Sequence, residues 1–561
     1  MHNIQPSSGV WLLAGVLLAL LWFAPLDGRR LHHPDEGRYA EIAREMLVSG
    51  DWVTPRLNGL KYFEKPPLQY WLTAASYAAF GVHDWSARLP AALFGWLAVI
   101  AVGYAGYRIA DATTGLYAAA TLAASVWQIG ISHYLSLDAV LSGWLALALA
   151  AFVIAQSGTR SAADRRRWML GAWIAIAGAV LTKGPVGLVI PGAALVVYSL
   201  ATRDYAIWRR VHLLPGVCLA LALCLPWFVA VSARNPEFAR FFFIHEHVER
   251  FLTTEHRREG AWWYFIPLLV LGLLPWTGLL VGVRSAWRDA PHAENGFSWP
   301  RFCLAWAAFV FVFFSASGSK LPSYILPLFP ALALVIGRML ARMSQRLWRW
   351  LLASLAIGTA VLAAGLWTTF DRIAPRLASD RTPVELYVAF GRPLEIGVTL
   401  LAAACIAACV LERRSIVRGR PLAIILVTLG MNVALALGFW ANDGLSASRS
   451  TADLVARLEQ SGGTPYDASA PFFQVGLYDQ TLPWYLRRTT TVVDYRDELD
   501  LGLDAEPDKG IPDTRAWIAR WRSLDKGYAL MSPETYERLA REGVPMRVAA
   551  RNARYVVVAR S

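Results

Sequence analysis

Acidic residues in the polar segment from His32 to Trp71 could do chemistry at a membrane surface. Asp35 and Glu36 stand at the start of a predicted helix, where an acid also caps the helix or is favoured by its dipole. For either residue alone, that structural interpretation is as good as a catalytic one. Asp138, in a turn before a later apolar segment, has the same two interpretations. Two acids at the outer ends of successive apolar segments begin to form a site.

Lysines at the same surface could bind an anion. Lys65 precedes two prolines that stiffen the backbone, so its amine and a neighbouring hydroxyl such as that of Tyr62 could share a phosphate. Lys320 and Tyr324 lie together in a tight turn at the same level of the membrane. Lys183 stands at the end of an apolar run, and snorkelling at a helix end explains it better than binding does. Of these lysines, Lys65 is the strongest candidate for a phosphate contact.

Histidines and acids also gather between Phe241 and Arg250. His245 and Glu249 are four residues apart, so one face of a helix would present both, which is compatible with a metal site. A third ligand would have to come from another loop. A solvated charged face on an interfacial helix is the commoner explanation for this pattern.

The composition indicates that membrane-spanning helices position these residues. Of the 561 residues, 56% are hydrophobic and 17% are charged, which is too apolar for a single soluble domain. Each apolar segment is near the roughly 20 residues that cross a bilayer, so we predict about thirteen spans. They lie at about 9–27, 84–107, 113–131, 136–156, 168–183, 185–202, 212–232, 262–283, 302–318, 323–341, 349–367, 393–411 and 421–440. All five cysteines fall in apolar segments, which leaves none for a disulfide in an aqueous loop.

Arginine-rich loops predict the orientation of these helices. Arginines cluster at alternate crossings, at 160–167, 203–210, 338–349 and 413–420, and the positive-inside rule assigns such loops to the cytoplasm. The loops 28–83 and 233–261 and the C-terminus then lie in the periplasm of a bacterium. Part of the net charge of +13 comes from lysines and arginines in the predicted periplasmic loops, where the positive-inside rule does not require them. Anionic phosphates as substrates would explain that excess.

The chain changes character near residue 442. Residues 1–441 form the predicted transmembrane domain, whereas 442–561 are rich in charge and predict a soluble periplasmic α/β domain. Its predicted helices lie near 451–461, 513–523 and 533–542, and its strands at Thr489–Val493 and Arg554–Val558. The sequence has no internal repeat and no Walker or dinucleotide-binding motif. We therefore expect no nucleotide cofactor.

The opening loop, residues 28–83, contains local sequence patterns that predict a helix and a turn. A helix is predicted from Asp35, which would cap it, to about Gly50, and Asn58-Gly59 predicts a turn. The helix is amphipathic, so we expect it to lie in the membrane interface. Its polar face would carry Arg38, Glu41, Arg44 and Glu45.

Several motifs, taken together and in order, resemble one family. They are HPDEGRYAEIAREM and KYFEKPPLQYW in the opening loop, then SLD, TKGP, FFFIHEHVERF and SGSKLPSYILPLFPALAL. With these motifs the chain resembles the bacterial 4-amino-4-deoxy-L-arabinose (aminoarabinose) lipid A transferases, ArnT-like relatives of the protein O-mannosyltransferases. The likeness spans essentially the whole membrane portion. The C-terminal domain matches only in type and position.

The resemblance implies a GT-C glycosyltransferase. Such an enzyme takes aminoarabinose from undecaprenyl phosphate and adds it to a lipid A phosphate at the periplasmic face of the inner membrane. We expect inversion by a single displacement, and a monomer that needs no partner besides these lipids. Nucleic acid is not an expected partner.

The resemblance also implies roles for individual residues. Asp35 and Asp138 are similar to the family's loop acids, and with Lys65 they form our predicted catalytic set. The predicted substrate-binding residues are Arg38, Tyr62, Lys65, Lys183, Arg250, Lys320 and Tyr324. Glu64 and His245 resemble the family's contacts to a bound zinc ion.

Two other functions stay open at this point. The first is a transferase with another polyprenyl-phosphate sugar or a protein hydroxyl as acceptor. A hydroxyl acceptor makes a base role for Asp35 more necessary, whereas an already ionised phosphate needs no deprotonation. A flippase or transporter of lipid-linked sugar predicts ionisable residues near the bilayer midplane. The clusters here lie at the ends of loops, which disfavours transport.

Overall fold

The computed structural model describes residues 8–157, 161–249, 260–380, 382–414, 419–460 and 466–560, as a helical bundle joined to a smaller domain with a mixed sheet. The helices of the bundle and its loops are α1 (Ser8–Phe23), α2 (Asp35–Ser49), α3 (Leu68–Phe80), α4 (Asp84–Ile109), α5 (Ala112–Ala124), α6 (Val126–Ser132), α7 (Leu137–Gln156), α8 (Ala162–Lys183), α9 (Val186–Thr202), α10 (Ile207–Arg210), α11 (Leu213–Arg234), α12 (Phe265–Gly272), α13 (Val283–Arg288), α14 (Trp299–Ala316), α15 (Phe329–Arg342), α16 (Gln345–Leu377), α17 (Val384–Arg414) and α18 (Gly419–Ala441). A π-helix spans Arg240–Glu249, and 3-10 segments include Thr277–Gly282 and Pro322–Leu328.

The apolar segments predicted from the sequence are helical in the described structure. By length and hydropathy, eight helices among the described residues could cross a membrane. The segment predicted at 262–283 is bent, because Phe265–Gly272 and Thr277–Arg288 meet at 110°. The segment predicted at 113–131 is divided at Ser125, whose backbone is extended. The chain is a multi-pass membrane protein, and the count of about thirteen crossings stays a prediction.

The opening loop turns where its local signals predict. α2 ends at Gly50, which has a left-handed φ of 70°. Asn58 and Gly59 have φ values of 56° and 79°, as in the tight turns that suit two-residue hairpins. They connect β1 (Arg56–Leu57) to the antiparallel β2 (Leu60–Lys61). This hairpin leads the chain into the segment that carries Lys65.

The start of α2 differs from the prediction. Asp35 is the first residue of the helix, Pro34 takes the capping position, and no side chain caps the helix. The carboxylate of Asp35 instead accepts a hydrogen bond of 3.0 Å from Arg38, one turn along the helix. Capping therefore does not explain this acid, and its contacts belong to the cavity that α2 borders.

The polar face of α2 is buried, which corrects the prediction of a helix in the membrane interface. Glu41, Arg44 and Glu45 are all less than 10% exposed. The C-terminal domain covers them: the Arg44 guanidinium donates to the carbonyl of Arg487 at 3.2 Å. Gly37 allows the close approach, since a Cβ there would lie 2.7 Å from the backbone of the same domain. The spacing of apolar residues in the sequence predicts an apolar and a polar face for α2, but it does not show that another domain covers the polar face.

The C-terminal domain is α/β, as predicted. Its six-stranded sheet has the order β5-β4-β3-β6-β8-β7. β5, β4, β3 and β6 run parallel to one another, and β8 is antiparallel to both β6 and β7. The strands are β3 (Phe472–Val475), β4 (Thr491–Val493), β5 (Gly510–Ile511), β6 (Tyr528–Met531), β7 (Arg547–Arg551) and β8 (Val556–Ala559). The helices are α19 (Ala452–Gln460), α20 (Thr481–Leu486), α21 (Asp500–Ala505), α22 (Thr514–Arg522) and α23 (Pro533–Arg541). The three helices and two strands predicted from the sequence are present, with ends that differ by a few residues.

Hydrogen bonds fix this domain to the opening loop. The side chain of Asn58 donates to the carbonyl of Thr490 and accepts from its N–H, both at 2.7 Å. Arg56 pairs with Glu506 at 2.9 Å. The C-terminal domain thereby holds the loop that carries Asp35 and Lys65, two of the three predicted catalytic residues.

Glu36 holds the opening loop to the bundle. Its carboxylate is fully buried and pairs with Arg29 at 2.5 Å and with Arg88 of α4 at 2.8 Å. It also accepts from the N–H groups of His32 and Leu135, both at 3.0 Å. Burial alone would raise the pKa of Glu36, but the two guanidinium groups outweigh it and hold that pKa well below the usual range. Glu36 is thus a structural ion-pair centre and does not line the cavity.

Glu36→Gln is expected to destabilise the protein by about 3–5 kcal/mol, because it leaves two guanidinium groups without their buried counter-charge. Thermal unfolding of the purified protein measures the loss. Asp504→Asn is the control, since Asp504 pairs with Arg496 on the surface and is 66% exposed. An unfolding temperature that is equal in wild type and Glu36→Gln would show that the buried carboxylate is not the centre of this contact.

Candidate active site

A cavity of about 380 Å³ lies where the opening loop meets the ends of several bundle helices. Its walls come from α2, the segment before α3, the start of α7, the α8–α9 junction, the end of α14 and the Pro322–Leu328 segment. Phe313, Leu141 and Val189 make part of the wall apolar. The predicted site residues that line it are Asp35, Arg38, Glu64, Lys65, Asp138, Lys183 and Tyr324. Residues up to 289 positions apart in the sequence, Asp35 and Tyr324, therefore share one cavity.

Asp35 and Arg38 form one side of the cavity. Arg38 donates to Asp35 at 3.0 Å and also pairs closely with Glu498 of the C-terminal domain. Burial opposes the charge on Arg38, but its anionic neighbours outweigh burial and keep the pKa of the guanidinium well above its ordinary value. Arg38 is thus a permanent cation beside Asp35, whose side chain is 32% exposed.

Lys65 lies opposite a buried acid. Its amine donates to the carbonyl of Glu64 at 2.8 Å and pairs closely with Glu246 of the π-helix, and the Glu64 carboxylate is 3.8 Å away. An ammonium group has three N–H donors. Counting the described residues, these contacts use two, so one N–H is left for an anion in the cavity.

Asp138 and Lys183 form a second ion pair in the cavity wall. The two charged groups are in direct contact, and Asp138 also accepts from the hydroxyl of Ser323 at 2.7 Å. The Lys183 amine lies 4.5 Å from the centre of the Tyr324 ring. Lys183 therefore turns inward to an acid and an aromatic ring, so the snorkelling interpretation is wrong.

Three predicted substrate-binding residues are not placed in the cavity wall. Tyr62 is 2% exposed and packs in the core beneath α2, where burial raises the pKa of its hydroxyl well above 10. Lys320 donates to the carbonyl of Ser317 at 2.5 Å and does not line the cavity, because its own tight turn takes up the amine. Arg250 lies outside the described residues.

The described residues do not complete a zinc site. Glu64 lines the cavity, while His245 is exposed on the π-helix and packs against Phe241 with ring centres 5.2 Å apart. Within the part of the chain that the structure describes, no three His, Cys, Asp or Glu side chains converge. A structural or catalytic zinc site needs three or four protein ligands. Zinc stays a prediction, to be checked by elemental analysis of the purified protein.

The arrangement can stabilise charge that moves between a sugar and a phosphate. Lys65 and Lys183 place cations on two sides of the cavity, and Asp35 and Asp138 face the same space. A leaving phosphate gains negative charge while the sugar carbon gains positive charge, so cations and carboxylates in fixed positions stabilise both. The apolar part of the wall suits a substrate with a lipid chain.

Sequence reasoning missed two acids that hold the cations of the cavity. Glu246 was visible only as one charge in a solvated helix face, and Glu498 only as part of a charged domain. Both are buried in the structure, where they pair with Lys65 and Arg38. No local pattern could have found these acids, because each is far along the chain from its partner. Glu246 is 181 residues from Lys65, and Glu498 is 460 residues from Arg38.

Glu498→Gln is expected to reduce activity by about 10- to 100-fold, because the ion pair that fixes Arg38 becomes a weaker contact between the guanidinium and an uncharged amide. Turnover of the purified protein measures this, alongside thermal unfolding, which should change little. Asp497→Asn is the matched control: it removes the adjacent charge, which is exposed, and asparagine accepts the left-handed φ of 40° at that position. Equal activity of both variants would remove Glu498 from the site.

Comparisons with known proteins agree with the fold. Residues 9–283 match the model of the dolichyl-phosphate-mannose-protein mannosyltransferase family. Residues 463–560 match the aminoarabinose transferase C-terminal domain. The first model covers the part of the bundle that carries Asp35, Lys65, Asp138 and Lys183, and the second covers the domain that carries Glu498.

Two curated relatives are named for the same donor. A Pseudomonas fluorescens undecaprenyl phosphate-alpha-4-amino-4-deoxy-L-arabinose arabinosyl transferase is 36% identical over 64% of this chain and 62% of its own, so the alignment spans slightly less than two thirds of that relative. A Pseudomonas aeruginosa transferase of the same name is 31% identical over 92% of this chain and 91% of its own.

Solved structures show the same architecture. The crystal structure of ArnT from Cupriavidus metallidurans in the apo state has a TM-score of 0.91 and 38% identity, with 99% of this chain and 98% of that chain covered. The structure of the same protein bound to undecaprenyl phosphate also has a TM-score of 0.91, at 37% identity and 99% coverage of both chains. Since similarity extends over nine tenths of the chain in sequence and nearly all of it in structure, this chain belongs to the ArnT family of undecaprenyl phosphate-aminoarabinose arabinosyl transferases.

Proposed function

We propose that the chain transfers 4-amino-4-deoxy-L-arabinose from undecaprenyl phosphate to a phosphate of lipid A. The observation that carries the proposal is the cavity, in which two acids and two lysines meet beside an apolar wall. A relative that aligns with nine tenths of this chain is named for the same donor, and a similar solved structure is bound to undecaprenyl phosphate. The C-terminal match to the aminoarabinose transferases supports the sugar.

Each of these residues has a separate role in a single displacement at the sugar carbon. The bond between the sugar carbon and the donor phosphate oxygen breaks, and Lys65 stabilises the charge that grows on the leaving phosphate. An oxygen of the acceptor phosphate forms the new bond on the opposite face, so the configuration inverts. An ionised phosphate needs no deprotonation, so Asp35 acts on the sugar: it orients the ring and stabilises the positive charge that develops there. Arg38, held by Glu498, sets the direction of the Asp35 carboxylate.

The proposal includes an orientation in the inner membrane of a bacterium. The arginine-rich loops lie in the cytoplasm, and the cavity and C-terminal domain lie in the periplasm. Alkaline phosphatase fused after the last residue should be active, because that enzyme needs the oxidising periplasm. If this fusion were inactive and a fusion in loop 203–212 were active, the orientation would be the opposite of the one proposed.

A hydroxyl acceptor is the second candidate, favoured by the match of residues 9–283 to the protein mannosyltransferase model. Reconstituted protein with the aminoarabinose donor distinguishes the two. We expect product with lipid A, none with lipid A stripped of its phosphates, and none with a serine-rich peptide. Transfer to the peptide, or to the dephosphorylated lipid, would contradict the phosphate acceptor.

Chromatography of the purified protein with light scattering tests the predicted monomer.

A further inference from the structure

A groove of about 690 Å³ opens on the side of the bundle, apart from the active cavity. Its walls come from α9, α12, the Thr277–Gly282 segment, α13, α14 and α15, and they are apolar over most of their area. The charged residues in the wall are Arg284 and Arg288, on consecutive turns of α13. The volume lies in the range of about 300–1,000 Å³ that ligand sites usually have.

The arginines mark the end of the bundle that lies farthest from the active cavity. α14 leads to Ser317 in the cavity wall, whereas its other end contacts α13, since Arg301 donates to the carbonyl of Trp287 at 3.1 Å. An α-helix rises 1.5 Å per residue, so Arg301 and Ser317 are about 24 Å apart along the helix. The basic rim of the groove thus belongs to the opposite membrane surface.

These arginines have no counter-charge among the described residues. Arg284 and Arg288 are exposed, and neither forms a hydrogen bond or an ion pair within the described ranges. Asp289, the next residue along, forms no ion pair with them; its carbonyl instead accepts from Arg338 at 3.2 Å. Two cations therefore stand at the mouth of an apolar groove, a combination that matches a lipid with an anionic head group and a hydrocarbon chain.

We propose that this groove binds an anionic glycerophospholipid from the leaflet opposite the active cavity. The phosphate contacts Arg284 and Arg288, and an acyl chain lies along the apolar wall toward Phe311 and Leu332. The sugar donor does not fit this position, because its phosphate lies at Lys65 during transfer, at the other end of the bundle. A second copy of the chain does not fit either, because equal basic rims repel each other. The exclusion of the sugar donor rests on the proposed function, whereas the lipid-binding test does not, because it measures retained lipid without any transfer.

Native mass spectrometry of the purified chain, titrated with phosphatidylglycerol or phosphatidylcholine in mixed micelles, tests the proposal. We expect wild type to retain phosphatidylglycerol in preference to phosphatidylcholine. Each arginine near an anionic lipid surface contributes on the order of a fivefold gain in affinity, so Arg284→Gln/Arg288→Gln should lose about 25-fold. The matched control is Arg346→Gln/Arg349→Gln, which removes two exposed arginines at the same end of the bundle but outside the groove. The control should bind phosphatidylglycerol as wild type does.

A second variant tests the apolar wall without changing charge. Ala308→Trp fills the groove from α14, where Ala308 is exposed, and should weaken binding of both lipids by at least about tenfold. Equal affinity of wild type for the two lipids would overturn the proposal. So would an equal loss in the control variant, unchanged phosphatidylglycerol binding in both groove variants, or a copurified species at this groove with the mass of a polyprenyl phosphate. Elution volume in size-exclusion chromatography confirms that each variant is folded.

Discussion

Asp35→Asn reduces sugar transfer by about 10²–10³-fold, the usual cost of losing one preorganised group that stabilises charge in the transition state. The amide has the same shape and still accepts from Arg38, so the fold is retained. What is lost is the negative charge beside the sugar carbon as that carbon becomes positive. Single-turnover transfer with a saturating donor measures the chemical step separately from binding.

Asp51→Asn is the matched control for this experiment. Asp51 lies in the same loop, pairs with Arg234 at 3.3 Å and is 32% exposed, the same as Asp35, but it does not line the cavity. Its variant should transfer at close to the wild-type rate. Near-normal turnover of Asp35→Asn, or an equal loss in both variants, would remove Asp35 from the catalytic set.

Lys65→Ala lowers turnover with the polyprenyl phosphate donor by about 10²–10³-fold, because one preorganised donor to a developing anion contributes that much. The variant also removes the ammonium group that contacts Glu64 and Glu246, so the donor phosphate meets more negative charge and donor affinity should fall as well. Lys61→Ala is the control. Lys61 pairs with Glu237 at 2.7 Å and is 19% exposed, against 15% for Lys65, but it lies outside the cavity wall.

A double variant separates two roles for Lys65. If the amine acts on the donor phosphate, Lys65→Ala/Glu246→Gln stays impaired. If the amine only neutralises Glu246, the double variant recovers, since the charge that Lys65 offsets in wild type is removed as well. Recovery to the wild-type rate would contradict the proposed role in transfer.

Features with a local cause were predictable from the sequence. The end of α2 at Gly50 and the turn at Asn58-Gly59 depend on residues that accept a left-handed backbone, and both are confirmed. The apolar segments form helices because unpaired backbone groups are too costly in lipid. The short helices and two of the strands of the C-terminal domain followed from the same kind of pattern.

Features that depend on distant contacts were not predictable. Lys183 was interpreted as snorkelling because its partner Asp138 is 45 residues away. The polar face of α2 was assigned to the membrane interface, since nothing near Glu41 indicates that a domain more than 400 residues along the chain covers it. The family resemblance selected Asp35, Lys65 and Asp138, but it gave no account of the acids that hold Arg38 and Lys65 in place.

The mass of lipid A from living cells tests the central claim most directly. Cells that lack the gene are complemented with wild type, Asp35→Asn or an empty vector, and their lipid A is compared by mass spectrometry. We expect a species heavier by one aminopentose with wild type alone, and its loss when the lipid A phosphates are removed by mild acid. An unchanged lipid A profile with well-expressed wild type, or the same added mass with Asp35→Asn, would contradict the account.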